Sequence, residues 1–105
     1  MQYCVVFITT PRGSEGKRLA ELLLTKKLCA CVNIVNNLES FFWWQGKIDS
    51  AKEALLIAKT KKSLVPKLIK VVKAAHSYEV CEVIALPVIA GNEEYLDWIG
   101  KSCKG

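Results

Sequence analysis

Two cysteines two positions apart, Cys29 and Cys31, are the residues whose type and spacing most clearly suggest chemistry. On a β-strand such residues point to the same face with their Cα atoms about 6.7 Å apart. That separation is at the far limit for a disulfide and is awkward for holding one ion within a single chain. A metal site is easier to form between subunits, where one thiol from each subunit meets the same thiol of other copies or a neighbour's histidine. Such ligands suit copper or zinc. The alternative is that both cysteines are small apolar fillers at a packed interface.

His76 is the only histidine, so it cannot bind a metal ion without other ligands. It follows a predicted helix and precedes Tyr78 and Glu79 in a loop, which suits a metal ligand or a hydrogen-bonding role. The alternative is a histidine placed at a helix C-terminus, where the helix dipole favours it.

A stretch without acidic residues lies between Glu53 and Glu79, and its lysines are Lys59, Lys61, Lys62, Lys67, Lys70 and Lys73. Three of them step by three along a predicted helix, which suits either an anion site or a solvated face. The chain has no Gly-rich phosphate loop, no aromatic RNA-binding motif and no Ser/His/Asp arrangement. We therefore expect that the protein binds no nucleic acid, is not an enzyme and uses no organic cofactor.

Four consecutive aromatic residues, Phe41 to Trp44, would lie on both faces of one strand. One face can pack on the core of the chain itself. The other face predicts an interface with another subunit, and ligand stacking is the alternative.

Alternating strands and helices must position these residues. Period-two and period-3.6 patterns predict strand, helix, strand, strand, helix, strand, helix over residues 3–9, 14–27, 28–44, 48–60, 63–75, 80–90 and 92–99. The first six elements are the βαββαβ order of the ferredoxin-like α+β sandwich, here with a long β-hairpin and an extra C-terminal helix. In the third element Cys29, Cys31 and Asn33 are predicted to share the strand face that points away from the core.

The composition is that of one folded domain, residues 1–105, because 51% of the residues are apolar and 24% are charged. The net charge of +5 permits an anionic ligand without specifying one. Five cysteines without regular spacing indicate free thiols in a reducing compartment, and hence a cytoplasmic protein. No apolar run approaches the length of about 20 that spans a bilayer, so no membrane partner is expected.

Several short motifs occur together in a recognisable order along the chain. They are Ala30-Cys31-Val32-Asn33, Trp44-Gln45-Gly46-Lys47-Ile48, Lys59-Thr60, His76-Ser77-Tyr78-Glu79-Val80, Glu82-Val83-Ile84-Ala85-Leu86-Pro87, Gly91-Asn92 and Tyr95-Leu96-Asp97-Trp98. With them the chain resembles the CutA divalent-cation-tolerance family over nearly its whole length. The resemblance implies a ferredoxin-like fold in a tight homotrimer, related in architecture to PII signalling proteins. It also implies tolerance to copper and other divalent metals, with no established enzymatic activity.

The resemblance carries over Cys31 and His76 as metal ligands, together with Glu79. The sequence departs from the family pattern at four positions, where potential ligands or prolines are replaced: Ile8, Ala75, Ser77 and Cys81. The leading hypothesis is therefore a homotrimer that binds copper or another soft metal ion through Cys31 and His76. The alternative is a PII-like signalling or scaffold trimer whose inter-subunit clefts bind a small anion beside Lys59, Lys61 or Arg12.

Overall fold

The computed structural model describes residues 1–104, which form one antiparallel sheet of four strands covered on one face by helices. In chain order the elements are β1 (Tyr3–Pro11), α1 (Glu15–Thr25), β2 (Cys31–Trp44), β3 (Lys47–Lys61), α2 (Val65–Ala75), β4 (Val83–Pro87) and α3 (Glu93–Ser102). One turn of 3-10 helix, Lys62–Leu64, leads into α2. The order of strands across the sheet is β2-β3-β1-β4, and the order of elements along the chain is the predicted one.

The core lies between the sheet and the helices because alternate residues of the central strands face the same way. Val6 and Ile8 of β1 and Leu56 of β3 are fully buried on that face. Leu23 of α1 and Leu68 of α2 pack against it at helical spacing.

Helix α1 ends two residues earlier than the pattern predicts, and Lys27 shows why. Its φ of 58° places it in the left-handed region. The amide of Lys27 bonds to the carbonyl of Leu24, and the amide of Leu28 bonds to that of Leu23. This pair of bonds is a Schellman motif, which closes the helix and turns the chain back towards the sheet.

The prediction that Cys29 shares a face with Cys31 is wrong. Strand β2 begins only at Cys31, so strand alternation does not extend back to residues 28–30. The chain leaving α1 instead turns both Leu28 and Cys29 into the core, where Cys29 is 1% exposed. Burial raises the pKa of Cys29 to about 12, with smaller contributions from Cys103 and Cys31. Its thiol is therefore a packing group rather than a ligand.

The last strand is also shorter than residues 80–90. Strand β4 pairs with β1 only from Val83, opposite Ile8, to Pro87, opposite Cys4. The ladder ends at Pro87, and one further hydrogen bond follows it, from the amide of Val88 to the carbonyl oxygen of Tyr3 at 3.0 Å. Residues 80–82 precede the strand without pairing.

The sheet face opposite the helices is uncovered, and it is apolar. Val35, Ile84 and Leu86 are exposed there although they lie on a strand surface rather than in loops. The outer half of the β2–β3 hairpin extends beyond the helices, which gives the molecule extents of 44 × 26 × 23 Å. Its aromatic residues are exposed on both strand faces, and Trp43 is 74% exposed. None of the helices in residues 1–104 is long and apolar enough to cross a membrane.

Candidate functional site

Cys31 is the first residue of β2 and lies half-buried at the edge of the uncovered sheet face. It pairs with Lys59 of β3, and the Lys59 ammonium is 3.8 Å from its Sγ atom. The same ammonium donates to Oδ1 of Asn33, the next residue on this face. Tyr95 of α3 lies near the thiol; burial, followed by the charge of this thiol, raises the pKa of Tyr95. We call Cys31, Asn33, Lys59 and Tyr95 the Cys31 cluster.

His76 lies directly after α2, and both of its ring nitrogens have partners within the chain. Nε2 is 2.7 Å from the carbonyl oxygen of Thr9, to which it donates. Nδ1 accepts from the amide of Tyr78 at 3.0 Å. The side chain is almost completely buried. In this arrangement His76 joins the 76–82 loop to β1, and neither nitrogen is open to a metal ion.

Glu15 supports the same loop from the first turn of α1. Its Oε2 atom accepts a hydrogen bond from the amide of Ser77 at 3.0 Å and lies 3.4 Å from Nδ1 of His76. Burial alone would raise the pKa of Glu15. The hydrogen bonds from Ser77, together with the nearby His76 and Arg18, outweigh that effect, so the pKa lies below its usual value.

Tyr78 connects the loop to the sheet through a buried carboxylate. Its hydroxyl donates to Oε2 of Glu53 at 2.9 Å, and Glu53 is only 7% exposed. Burial and the bond to Glu53 raise the pKa of Tyr78 to about 12. The Tyr78 ring also lies against His76, with ring centroids 4.9 Å apart. The loop is therefore held at three points without prolines at positions 77 and 81.

The structure does not bring Cys31 and His76 together within one chain. Cys31 is opposite Lys59 of β3, whereas Thr9, the partner of His76, is opposite Leu55. Leu55 and Lys59 are four residues apart along β3, which is about 13 Å. In addition, β1 and β2 lie on opposite sides of β3. Glu79 is exposed in the 76–82 loop. Among residues 1–104, no group of three or more His, Cys, Asp or Glu side chains is arranged to hold a metal ion.

The sequence pattern does not identify Lys59 and Tyr95 as neighbours of the Cys31 thiol. Lys59 is predicted only as an anion-binding residue, and Tyr95 only as a residue of the last helix. The single signal that could have found Lys59 is the pairing register of the hairpin, and a bulge between Val35 and Leu38 shifts that register.

Comparisons with known proteins agree with this architecture. Residues 4–102 match the sequence profile described as CutA1 divalent ion tolerance protein. A rice protein named "Protein CutA 1, chloroplastic" is 50% identical over 100 residues, which are 95% of this chain and 56% of the rice protein. The "Divalent-cation tolerance protein CutA" of Thermus thermophilus is 46% identical over 90% of this chain and 92% of its own length.

Solved structures extend the agreement to three dimensions. The crystal structure of CutA1 from Oryza sativa superposes with a TM-score of 0.97 at 48% identity, covering 99% of this chain and 95% of that chain. The Cut A1 structure from Thermus thermophilus superposes with a TM-score of 0.95 at 43% identity, covering 97% of this chain and 99% of that chain. The chain spans about half the length of the plant and mammalian relatives that it matches. With a profile match over nearly every described residue and a shared fold, this chain belongs to the CutA1 divalent ion tolerance family.

Proposed function

We propose that the protein is a homotrimer that binds copper or another soft metal ion through Cys31, and that it acts in tolerance to metal ions without catalysing a reaction. One observation carries the proposal. A half-buried thiol lies at the edge of an apolar sheet face that the chain itself leaves uncovered. If copies of the chain cover that face, they also bring their thiols towards one another.

The apolar surface supports the proposed self-association. Ile84 and Leu86 of β4 and Val35 of β2 lie on the uncovered face, and the hairpin adds exposed aromatic residues. Fully burying one such side chain contributes about 1.5–3 kcal/mol. A contiguous apolar patch of this kind is typical of protein–protein interfaces. Closed rotational symmetry would cover it and also protect the long free edge of β2.

The donor set at Cys31 fits a soft ion. Thiolate sulfur selects copper(I), zinc and related metals, and Cys31 is the half-buried thiol at this face. A single thiol per subunit leaves the remaining ligands to other copies of the chain. The roles of His76 and Glu79 as ligands stay predictions. His76 would have to give up its bonds to Thr9 and Tyr78, whereas Glu79 is already exposed.

We also propose a reducing compartment, such as the cytoplasm. All five cysteines are free thiols, and three of them are buried in the core. Thiols of this kind persist where glutathione and thioredoxin keep them reduced.

The second candidate is a PII-like trimer that binds a small anion. Lys61 supports it, because no carboxylate of the described residues lies within ion-pair distance of its ammonium. Lys59 supports it less, since its ammonium already contacts Asn33 and Cys31. Arg12 lies beyond the opposite end of β1, where it reaches Asn37 at 3.5 Å. Stabilisation by phosphorylated metabolites that Lys61→Glu abolishes, with no response to metal ions, would favour this candidate.

The proposed function is tested by competing the protein against a coloured copper(I) chelator under reducing conditions. Cys31→Ser is expected to lose most of the copper(I) affinity. Cys81→Ser is the matched control, because Cys81 is also half-buried and lies outside the Cys31 cluster. Equal affinities for the wild type and Cys31→Ser would overturn the proposed role of this thiol.

A further inference from the structure

We propose that the exposed face of α2 is a binding surface for a linear phosphate polymer. Lys67, Lys70 and Lys73 follow one another at steps of three along the helix, and Lys62 lies in the 3-10 turn before it. All four are exposed, and we call them the α2 lysine face. The helices cover one side of the sheet, so assembly through the uncovered sheet face leaves this surface accessible.

Most of the net charge of the chain is located on this face. Residues 62–75 contain four lysines and no other charged residue, whereas the net charge of the whole chain is +5. Within residues 1–104 the close pairs of basic and acidic groups are Lys52 with Glu39 and His76 with Glu15. No carboxylate in that part of the chain is within ion-pair distance of the α2 lysine face, so its charge is open to an external anion.

The arrangement of charges does not stabilise the helix. Helix α1 has Glu15 in its first turn, and α3 has Glu93 and Glu94, which suit the positive end of a helix dipole. Helix α2 has no acidic residue in its first turn and no side-chain cap, and Lys67 is its third residue. Like charges on neighbouring helix positions also repel each other. An anion bound along this face would relieve both unfavourable effects.

The spacing of the lysines fits a linear ligand. Residues three apart on a helix have Cβ atoms about 5–6 Å apart, and the row from Lys67 to Lys73 is about 9 Å long. Lys62 extends the row beyond the start of the helix. Pro66 and Ala74 are the other exposed residues beside the row, and both are compact. A flexible polymer with a charge on every unit can place an anionic group beside each lysine, whereas a single small anion reaches only one or two.

The residue types on this face favour phosphate as the anionic group. Lysine binds phosphate as a point charge. Lysine is also depleted in protein–protein interfaces, which disfavours an acidic protein segment as the partner.

The same residue types disfavour nucleic acids and membranes. Residues 62–75 contain no aromatic residue, so the face offers nothing on which a base could stack. They also contain no large exposed apolar residue, with which a helix enters a membrane surface. The polymer that fits this face best is therefore one without bases, inorganic polyphosphate.

The number of contacts sets the expected salt dependence. When lysines displace the counterions of a single-stranded phosphate polymer, the slope of log affinity against log salt is about −0.7 per contact. Four contacts predict a slope of about −3, which is about a fiftyfold loss of affinity between about 50 and about 200 mM salt.

The test follows the fluorescence anisotropy of labelled long-chain polyphosphate titrated with the full chain, in buffer without metal ions. The triple variant Lys67→Gln/Lys70→Gln/Lys73→Gln is expected to bind at least about ten times more weakly at about 50 mM salt, and its slope should fall to about −0.7. The matched control is Lys17→Gln/Lys26→Gln/Lys101→Gln. It removes the same total charge from exposed positions in or beside α1 and α3 and should bind like the wild type.

Three results would overturn the inference. The first is a wild type that does not bind polyphosphate at about 50 mM salt. The second is an equal loss in the two triple variants, because binding would then follow the net charge rather than this face. The third is polyglutamate, DNA or anionic vesicles bound as tightly as polyphosphate, which would assign the face to another anion.

A single variant protects the test against a loss of folding. Circular dichroism and urea unfolding show whether the triple variant is folded. Lys70→Gln alone removes the middle charge of the row and should make the slope shallower by about 0.7. An unchanged slope in this variant would contradict a contact at Lys70.

Discussion

The bond between Tyr78 and Glu53 should be the most costly contact of the 76–82 loop to remove. The substitution Tyr78→Phe deletes only the hydroxyl that donates to the Glu53 carboxylate at 2.9 Å. Glu53 is 7% exposed, so water does not readily replace the lost donor. A hydrogen bond to a charged group contributes about 1.5–3 kcal/mol, and a buried acceptor without its partner costs a similar amount. We therefore expect Tyr78→Phe to lower the free energy of unfolding by about 2 kcal/mol.

The assay is urea unfolding at pH 7, at one fixed protein concentration, followed by tryptophan fluorescence. Tyr95→Phe is the matched control, because Tyr95 is 43% exposed. The free energy of unfolding of Tyr95→Phe should differ from that of the wild type by less than about 1 kcal/mol. The double variant Tyr78→Phe/Glu53→Gln should cost less than the sum of its single variants, since both act on one contact.

A loss below about 0.5 kcal/mol in Tyr78→Phe would refute this reasoning, because surface substitutions typically fall within that range. Additive effects of Tyr78→Phe and Glu53→Gln would refute it independently. Either result would mean that Glu53 is satisfied by another donor or by water, and that the loop is held by His76 and Glu15 alone.

Two further predictions concern the stability of the fold. Because the pKa of Tyr78 is raised from 10 to about 12, the folded chain binds more protons than the unfolded chain between these values. The resulting stabilisation of the fold is fully present below pH 10 and is lost as the pH rises towards 12. The midpoint of urea unfolding should therefore fall between these pH values, and it should fall less steeply for Tyr78→Phe. Leu68→Ala removes a fully buried side chain from α2 and should lower the free energy of unfolding by about 2–5 kcal/mol, measured with urea. Leu24 is 40% exposed, so Leu24→Ala should lower it by less than about 1 kcal/mol. Equal losses for the two leucine variants would place the core elsewhere.

The order and type of the elements could be predicted because each helix and strand shows its own hydrophobic period. Leu19 and Leu23 of α1, or Val6 and Ile8 of β1, identify their element without reference to the rest of the chain. The element boundaries were less predictable, since they depend on backbone conformation. Nothing in the type of Lys27 requires the left-handed conformation that ends α1 and carries Cys29 into the core.

The surroundings of Cys31 could not be predicted, because they depend on the register between two long strands. Counting back from the hairpin pair Trp44 and Lys47 would place Thr60 opposite Cys31. The bulge between Val35 and Leu38 moves the register by one residue and places Lys59 there instead. Lys59 thereby faces the thiol, while Thr60 faces the core and donates to the carbonyl of Leu28 at 2.6 Å. One additional residue in a strand thus determines which side chain accompanies the candidate ligand.

The role of His76 was partly predictable. Its position at the end of a helix indicates a residue with a hydrogen-bonding task, and the structure gives it two such bonds. Its partner Thr9 is 67 residues away in the sequence, and no local pattern connects them.

The central claim is that copies of this chain assemble through the uncovered sheet face and bind metal at Cys31. Native mass spectrometry under reducing conditions, with and without copper, tests it most directly. The account predicts a species of three times 11.7 kDa that retains at most one copper ion per subunit, and a Cys31→Ser trimer that retains none. A monomer at micromolar concentration would contradict the assembly. A trimer whose copper content is unaffected by Cys31→Ser would contradict the site.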